Sequence, residues 1–177
     1  LLDEMLAFYA TARRTWPDLF LLLLANGSPE VIRAAMRRQG LSNELVAVRQ
    51  VPFEHMPEYL SAADAGLVLI RPCLSKRSSS PTKVAEYLAC GVPLIANAGI
   101  GDLDALIRDT QVGLLLPELN PSTYEAVLPQ LMRMWSARDA MRGRCRAVAE
   151  QRFALERGVA HYRRLYDRLL GKSVEPV

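Results

Sequence analysis

Histidine and cysteine are both scarce in this chain, and their scarcity excludes several kinds of protein. The two histidines, His55 and His161, are far apart, so no cluster has the spacing of zinc or other metal ligands. The three cysteines, Cys73, Cys90 and Cys145, are odd in number and widely spaced. This pattern is typical of buried thiols in a reducing compartment rather than of a disulfide framework.

Long apolar runs and a strong excess of one charge are also lacking. The longest apolar run, residues 19–25, has seven residues, whereas a membrane-spanning helix needs about 20. The residues that follow Leu1 do not have the pattern of a signal peptide. The formal net charge of +3 is too small to indicate nucleic-acid binding. We therefore expect a cytoplasmic protein that binds neither nucleic acid nor metal.

The chain does contain the material for one α/β domain. It has 177 residues, of which 50% are hydrophobic, and a domain of this size buries about 70% of its unfolded surface. Apolar runs of strand length occur at residues 19–25, 45–51, 66–70, 94–97 and 113–116. Segments with helical periodicity lie around them, at residues 2–14, 28–39, 57–63, 81–91, 102–109, 122–135, 138–151 and 154–170.

This alternation of strands and helices predicts the fold class. Strands that are separated by helices form βαβ units with a mostly parallel sheet. We therefore predict a Rossmann-like, doubly wound domain with helices on both faces of the sheet and further helices at the C-terminus. The runs 19–25, 46–51, 66–70 and 94–97 are predicted to be neighbouring parallel strands.

Residues 78–97 form the most informative segment of the chain. They read Ser-Ser-Ser-Pro-Thr-Lys-Val-Ala-Glu-Tyr-Leu-Ala-Cys-Gly-Val-Pro-Leu-Ile-Ala-Asn. Ser80 is a good N-cap, Pro81 suits the first helical position, and Gly91 and Pro93 end the helix. The segment therefore predicts a polar loop, a short helix and a buried strand at the carboxyl edge of a parallel sheet, where ligands bind.

The start of this helix has the properties of a phosphate site. Its first N–H groups have no partner within the helix, and the helix dipole places partial positive charge there. Lys83 adds a formal positive charge in the first turn, and Glu86 follows on the same side of the helix. Taken alone, each residue also fits a solvated helix surface, so the pattern favours an anion site without excluding that simpler interpretation.

Residues 80–93 also carry a family resemblance. The pattern Ser-Pro-x-Lys-x-x-Glu-Tyr-x-Ala-x-Gly-x-Pro resembles the nucleotide-sugar-binding half of GT-B glycosyltransferases, especially the retaining group four. Residues 56–64, 99–102 and 113–116 resemble the flanking segments of that half. In all, the resemblance covers roughly residues 18–170, and it implies a donor nucleotide-sugar site.

The resemblance assigns roles to residues in and around the motif. The glutamate at the position of Glu86 grips the ribose in this family, and a carboxylate suits a diol because it accepts two hydrogen bonds at once. Lys83 would neutralise a diphosphate. The turn around Val51 holds the nucleobase, largely through backbone groups. Gly99 and Gly101, in the expected donor-sugar region, would let the backbone approach a ligand, although a plain turn explains these glycines equally well.

Two positions depart from the family pattern. A second glutamate, which contacts the donor sugar, is replaced here by Ser78, and a glycine is replaced by Pro81, which has no backbone N–H. The neighbouring donors Ser79, Ser80 and Thr82 are expected to contribute instead. Sugar recognition therefore cannot be carried over, and the catalytic residues are not identified, because the family's catalytic-base candidates lie in the other half of the enzyme.

The resemblance also predicts the surroundings of this domain. A doubly wound domain normally begins with a strand, whereas this chain begins in a helical segment, so we expect the first strand and the N-terminal acceptor domain to be absent. Expected partners are a nucleotide diphosphate sugar, which serves as substrate rather than cofactor, the missing domain, and a glycan, lipid or small-molecule acceptor. Residues 133–172, with ten arginines, suit the missing domain or an anionic membrane surface, although such a run is more often a solvated helix face.

Two other functions remain open from the sequence. One is a nucleotide-sugar epimerase of the GT-B fold, and the other is a non-catalytic binding or assembly module derived from a glycosyltransferase. The departures at Ser78 and Pro81 keep the second alternative open.

Overall fold

The apolar runs of the chain form short parallel strands in two separate sheets. The computed structural model describes residues 1–42 and 44–171. Strands β1 (Leu21–Leu24) and β2 (Val46–Arg49) form the first sheet. Strands β3 (Gly66–Val68), β4 (Leu94–Asn97) and β5 (Gly113–Leu116) form the second sheet in the order β3-β4-β5. Every pairing is parallel, as predicted.

The prediction that the first four strands are neighbours in one sheet is wrong, because β1 and β2 form a sheet separate from that of β3 and β4. Among the described residues, β1 pairs only with β2. Strand β3 pairs only with β4, which lies between β3 and β5. The remaining edges of β1 and β3 border a common cavity instead of a strand. The fold is therefore a parallel α/β arrangement whose sheet is divided between β1 and β3.

The helices alternate with these strands and then follow one another at the C-terminus. Their bounds are α1 (Leu2–Thr15), α2 (Pro29–Arg38), α3 (Met56–Ser61), α4 (Thr82–Ala89), α5 (Leu103–Thr110), α6 (Pro121–Ser136), α7 (Arg138–Phe153) and α8 (Leu155–Leu169). Each predicted helix is present, with ends that differ by one or two residues.

Helices cover both faces of the second sheet, which confirms that part of the predicted architecture. Side chains of Val68, Leu94 and Ala96 pack into a core with α4, α5 and α7. The alternate residues Ile95 and Leu116 face a second core that α1 and α6 complete. Because side chains alternate across a strand, each buried strand can supply both cores.

The first sheet has its own core, which α1 and α2 complete. Leu21 and Val46 pack there with apolar side chains of both helices. The Tyr9 hydroxyl of α1 lies 2.9 Å from the carbonyl oxygens of both Leu19 and Leu45, at the starts of β1 and β2, and donates to them. Burial raises the pKa of Tyr9, against a smaller lowering effect of the neighbouring arginine. Helix α1 therefore holds the first sheet to the rest of the domain.

Helix α8 presents an apolar surface to solvent. Its exposed large side chains include Leu155, Tyr162, Leu165, Tyr166 and Leu169, and none of its residues is buried. None of the helices in residues 1–42 and 44–171 combines the length and the apolar character that crossing a membrane would require.

Candidate functional site

Apart from Val51, which follows β2 of the first sheet, the residues of the predicted site lie at the carboxyl edge of the second sheet. The loop of residues 71–81 follows β3 and leads into α4, and the turn of residues 98–102 follows β4 and leads into α5. The carboxyl ends of parallel strands share one edge of a sheet, and this arrangement therefore brings the loop, the turn and the start of α4 to that edge.

Helix α4 is fixed against the sheet by apolar contacts along one side. Val84 and Leu88 are buried in the core of the second sheet. Tyr87 packs over Gly66, where an added Cβ would lie only 2.7 Å from the tyrosine ring. Burial, and then the nearby carboxylate of Glu86, raises the pKa of Tyr87. The position of the helix start is thus set by packing rather than by its cap.

The start of α4 differs in one detail from the prediction. Pro81, not Ser80, is the N-cap residue, and no side chain caps the helix. A proline at the cap has no hydrogen-bonding side chain, so the backbone alone shapes this end: the N–H of Val84 donates to the Pro81 carbonyl at 3.0 Å. The N–H groups of Thr82 and Lys83 have no acceptor among the described residues, and both side chains are exposed.

Glu86 lies on the side of α4 that faces away from the buried residues Val84 and Leu88. Each of them is two positions from Glu86, which corresponds to about half a turn of the helix. Its side chain is half-buried. In the described part of the chain, no cation forms an ion pair with it. The carboxylate is therefore available to accept hydrogen bonds from a ligand.

The loop before α4 is folded onto the turn that follows β4. The Lys76 carbonyl accepts hydrogen bonds from the N–H of Ser79 at 3.3 Å and from the N–H of Gly101 at 3.0 Å. The Ser79 carbonyl lies so close to Gly101 that a Cβ there would collide with it. Gly101 also has a φ of 49°, which favours glycine. Ser78 is exposed beside this contact, and Ser79 uses its own N–H within the loop.

One buried polar residue at this edge was not identified from the sequence. Asn97 ends β4 and is 2% exposed. Its Oδ1 accepts a hydrogen bond from the N–H of Ile70 at 2.7 Å, and its Nδ2 donates to the Ala98 carbonyl at 3.1 Å. The signal was an amide side chain at the end of an otherwise apolar strand. Similarly, Asp104 accepts a hydrogen bond from the N–H of Gly99 at 3.0 Å.

The loop also holds an exposed thiol. The Sγ of Cys73 lies 3.3 Å from the Ser75 hydroxyl. This hydrogen bond, with weaker help from the backbone and from Lys76, lowers the pKa of Cys73 below that of an ordinary thiol. The buried thiol of Cys145 behaves in the opposite way, because burial raises its pKa to about 11.

A cavity of about 580 Å³ lies between β1 and β3. All of β1, together with Leu67 of β3, lines it, and Lys83 and Tyr87 of α4 border it. Glu86 is not among its lining residues, and neither is Val51, which follows β2. The structure thus brings Lys83, the start of α4 and the glycine turn to one edge, while Val51 lies beyond the cavity on the first sheet.

A second cavity, of about 470 Å³, lies at the opposite edge of the domain. It is lined by residues that precede β1 and β3, such as Trp16 and Asp64, and by Trp135 of α6 and Arg138 of α7. Asp64 and Arg138 form an ion pair at 3.1 Å. The amino edge of a parallel sheet is not the edge at which ligands of such folds bind, so this cavity is separate from the predicted site.

Comparisons with known proteins agree with the fold and with the family resemblance. The family model described as "Glycosyl transferases group 1" matches residues 3–134. A D-inositol 3-phosphate glycosyltransferase of Acidothermus cellulolyticus is 27% identical over 115 residues, which is 65% of this chain and 24% of that protein. The chain thus spans about a quarter of the length of this relative.

Solved structures show the same fold. Sucrose-phosphate synthase of Thermosynechococcus elongatus superposes with a TM-score of 0.74 at 20% identity, over 97% of this chain and 43% of that one. WaaG, a glycosyltransferase involved in lipopolysaccharide biosynthesis, has a TM-score of 0.61 at 18% identity, over 84% and 39% of the two chains. The predicted resemblance to the C-terminal domain of GT-B enzymes is confirmed, and the chain belongs to the group 1 glycosyltransferases.

Proposed function

We propose that this chain supplies the donor nucleotide-binding half of a glycosyltransferase that uses nucleotide sugars. The observation that carries the proposal is the start of α4, where the N–H groups of Thr82 and Lys83 have no acceptor in residues 1–42 and 44–171. Lys83 is exposed there, and it forms no ion pair among the described residues. Unpaired helix N–H groups with an adjacent cation suit the diphosphate of a nucleotide sugar.

In the proposed reaction, an acceptor hydroxyl attacks the anomeric carbon of the donor sugar. The bond from that carbon to the diphosphate oxygen breaks, its electron pair leaves with the nucleoside diphosphate, and the hydroxyl proton passes to a base or to the leaving phosphate. The negative charge that develops on the diphosphate is stabilised by the α4 N–H groups and by Lys83. Arg71, Lys76 and Arg77 add exposed positive charge in the preceding loop.

Glu86 is proposed to hold the ribose of the donor. Its half-buried carboxylate has no cation partner in the described part of the chain, so both oxygens can accept from a diol. Ser78, Ser79 and Ser80 are proposed to contact the donor through hydroxyl groups, with Gly99 and Gly101 beside the sugar and Val51 near the nucleobase.

Calorimetric titration of the 177-residue chain with uridine, guanosine and adenosine diphosphates tests this proposal. Because the proposed contacts come from this one domain, we expect weak binding, with a dissociation constant near ~1 mM for the best nucleotide. Glu86→Gln should weaken binding, since a neutral amide loses the charge-assisted acceptor, whereas Glu156→Gln, which changes an exposed carboxylate of α8, should not. Equal binding by the wild type and Glu86→Gln would remove Glu86 from the site.

Ser78 and Glu86 are proposed to contribute unequally in the complete enzyme. Loss of the neutral Ser78 hydroxyl in Ser78→Ala removes one hydrogen bond, worth about 0.5–1.5 kcal/mol, or roughly two- to twelvefold in kcat/KM. Loss of the ribose carboxylate in Glu86→Ala should cost more. Steady-state kinetics on both variants measures the difference. Loss of turnover in Ser78→Ala alone would show that the motif is misaligned with the family.

The fixed N–H groups and Lys83 would neutralise the diphosphate without a metal cofactor. We therefore expect the complete enzyme to keep its activity in the presence of a chelator such as EDTA. The relatives' name makes D-inositol 3-phosphate a first acceptor to assay. Donor hydrolysis or epimerisation without transfer to any acceptor would instead support the epimerase alternative.

The divided sheet supports a further proposal, that a strand outside residues 1–177 and an acceptor domain complete the enzyme. In β1 the N–H of Leu21 donates to the chain of β2, at the Leu45 carbonyl. Backbone groups of successive residues in a strand point to opposite edges, so those of Leu22 and Leu24 point away from β2. In β3 the N–H of Gly66 donates towards β4, so those of Leu67 and Leu69 point away from β4. Both edges border the 580 Å³ cavity.

Amide hydrogen exchange measures whether that strand is present. In the 177-residue chain, the amides of Leu22 and Leu67 should exchange faster than those of Leu23 and Val68, which point to paired strands. In the complete protein, the two sets should be equally protected. Fast exchange at Leu22 and Leu67 in the complete protein would contradict strand completion.

A further inference from the structure

We infer that Asn97 is a positioning residue of the site: its buried carboxamide fixes the root of the loop formed by residues 71–81, and the turn after β4 fixes the middle of that loop. This inference rests on the proposed function, because the loop leads into the proposed diphosphate site. It concerns residues that hold the loop in place and not residues that touch the donor.

The hydrogen bond from Ile70 to Asn97 replaces a bond of the sheet. The N–H of Gly66 donates to the carbonyl of Pro93, and the register pairs Val68 with Ala96. Continued in the same pattern, the N–H of Ile70 would donate to the main-chain carbonyl of Asn97. It donates to the side-chain Oδ1 of Asn97 instead, at 2.7 Å. The chain therefore leaves the sheet at Ile70. The Asn97 side chain fills the space between the two backbones and so fixes where the loop begins.

The carboxamide has few alternatives to this arrangement. It is 2% exposed, so water does not compete for its oxygen. Its Nδ2 donates to the Ala98 carbonyl at 3.1 Å, which fixes which end of the amide faces Ile70. A buried polar group that satisfies both its donor and its acceptor in this way locks a single geometry.

The second attachment lies at the glycine turn. The N–H of Gly101 donates to the Lys76 carbonyl at 3.0 Å, and the Ser79 carbonyl packs directly on the Cα of Gly101. The turn is itself held, because the N–H of Gly99 donates to the Asp104 carboxylate at 3.0 Å. The loop is therefore attached at its root and at its middle, just before the unpaired N–H groups of α4.

Amide hydrogen exchange on the 177-residue chain tests the inference without any nucleotide. Asn97→Leu keeps the approximate volume but removes the acceptor, so exchange at the hydrogen-bonded amides of the segment, those of Ile70, Lys76, Arg77 and Ser79, should rise by at least about tenfold. Gly101→Ala should raise exchange at residues 76–79 and leave Ile70 unchanged. Thr11→Val is the matched control, because Thr11 is a buried polar residue of α1 that lies outside the site; exchange across residues 70–79 should not change.

Nucleoside diphosphate titrations then separate positioning from general stability. Asn97→Leu should weaken uridine, guanosine or adenosine diphosphate binding by at least about fivefold relative to Thr11→Val at a temperature where both are folded. Unchanged exchange at residues 70–79 in Asn97→Leu would overturn the inference. If the wild type binds none of the three nucleotides while the exchange result holds, the proposed function fails and the attachment of the loop stands.

Discussion

Replacement of Arg142 tests how the helices around the site are held. This side chain of α7 reaches the carboxyl ends of two helices at once. Its guanidinium donates to the Ser61 carbonyl at the end of α3 at 3.0 Å, to Ala63 at 3.5 Å, and to Cys90 at the end of α4 at 3.4 Å. A cation at these positions also interacts favourably with both helix dipoles.

The size of the effect follows from this geometry. Only the bond to Ser61 is short, so we assign about 1 kcal/mol to it and little to the two long bonds. The cation adds about 0.5 kcal/mol at each helix end. Arg142→Ala should therefore lower the free energy of unfolding of the part that contains the second sheet by about 2 kcal/mol, and the Tm of its transition by about 4–8 °C.

Differential scanning calorimetry measures the change, and Arg144→Ala is the matched control. Arg144 lies on the same helix and donates a single exposed hydrogen bond, to the Gln111 carbonyl at 3.2 Å, so its loss should cost under about 1 kcal/mol. Arg142→Lys should recover part of the stability, since it keeps the charge but not the planar fork. Equal Tm values for Arg142→Ala and Arg144→Ala would refute the assignment of a double helix cap.

Four further predictions concern glycine and cysteine. Gly113→Ala should destabilise the domain by more than about 2 kcal/mol in urea titrations, because its Cβ would collide with the Leu94 carbonyl. Gly143→Ala, with open space at the Cβ inside α7, should stabilise it by about 0.5–1 kcal/mol; a loss there would contradict the packing. Iodoacetamide at neutral pH should modify exposed Cys73 long before buried Cys145, as peptide mass spectrometry would show. Because the pKa of Cys145 is raised to about 11, its contribution to stability should be lost as the pH rises from 9 towards 11; urea titrations of Cys145→Ala should lack that component.

Local sequence signals predicted the helices well because their causes are local. Pro29 lies at the start of α2, and Gly40 has a φ of 65° just after the helix, as a stop residue should. The motif helix was also placed correctly, apart from its cap. Ser80 has the right chemistry for an N-cap, but Pro81 takes that position, because the packing of α4 and the preceding loop decide where the helix begins.

The sequence did not reveal contacts between residues that are far apart in the chain. The division of the sheet depends on which strand edges meet, and an apolar run such as β1 looks the same whether one or both of its edges are paired. The bond between Ile70 and Asn97 joins positions 27 residues apart. Residue types predicted a phosphate site at the start of α4, but the hydrogen bonds that hold the preceding loop are evident only from the three-dimensional arrangement.

The divided sheet has a consequence for the cooperativity of unfolding. The first sheet and α2 have a core of their own, and α1 joins it to the second sheet because Tyr9 packs with one core and Phe8 with the other. Parts of a protein that have separate cores tend to unfold as separate cooperative units. In the 177-residue chain, the β1–β2 half should therefore lose its amide protection at lower denaturant than β4, so calorimetry and circular dichroism should record a transition that is not two-state.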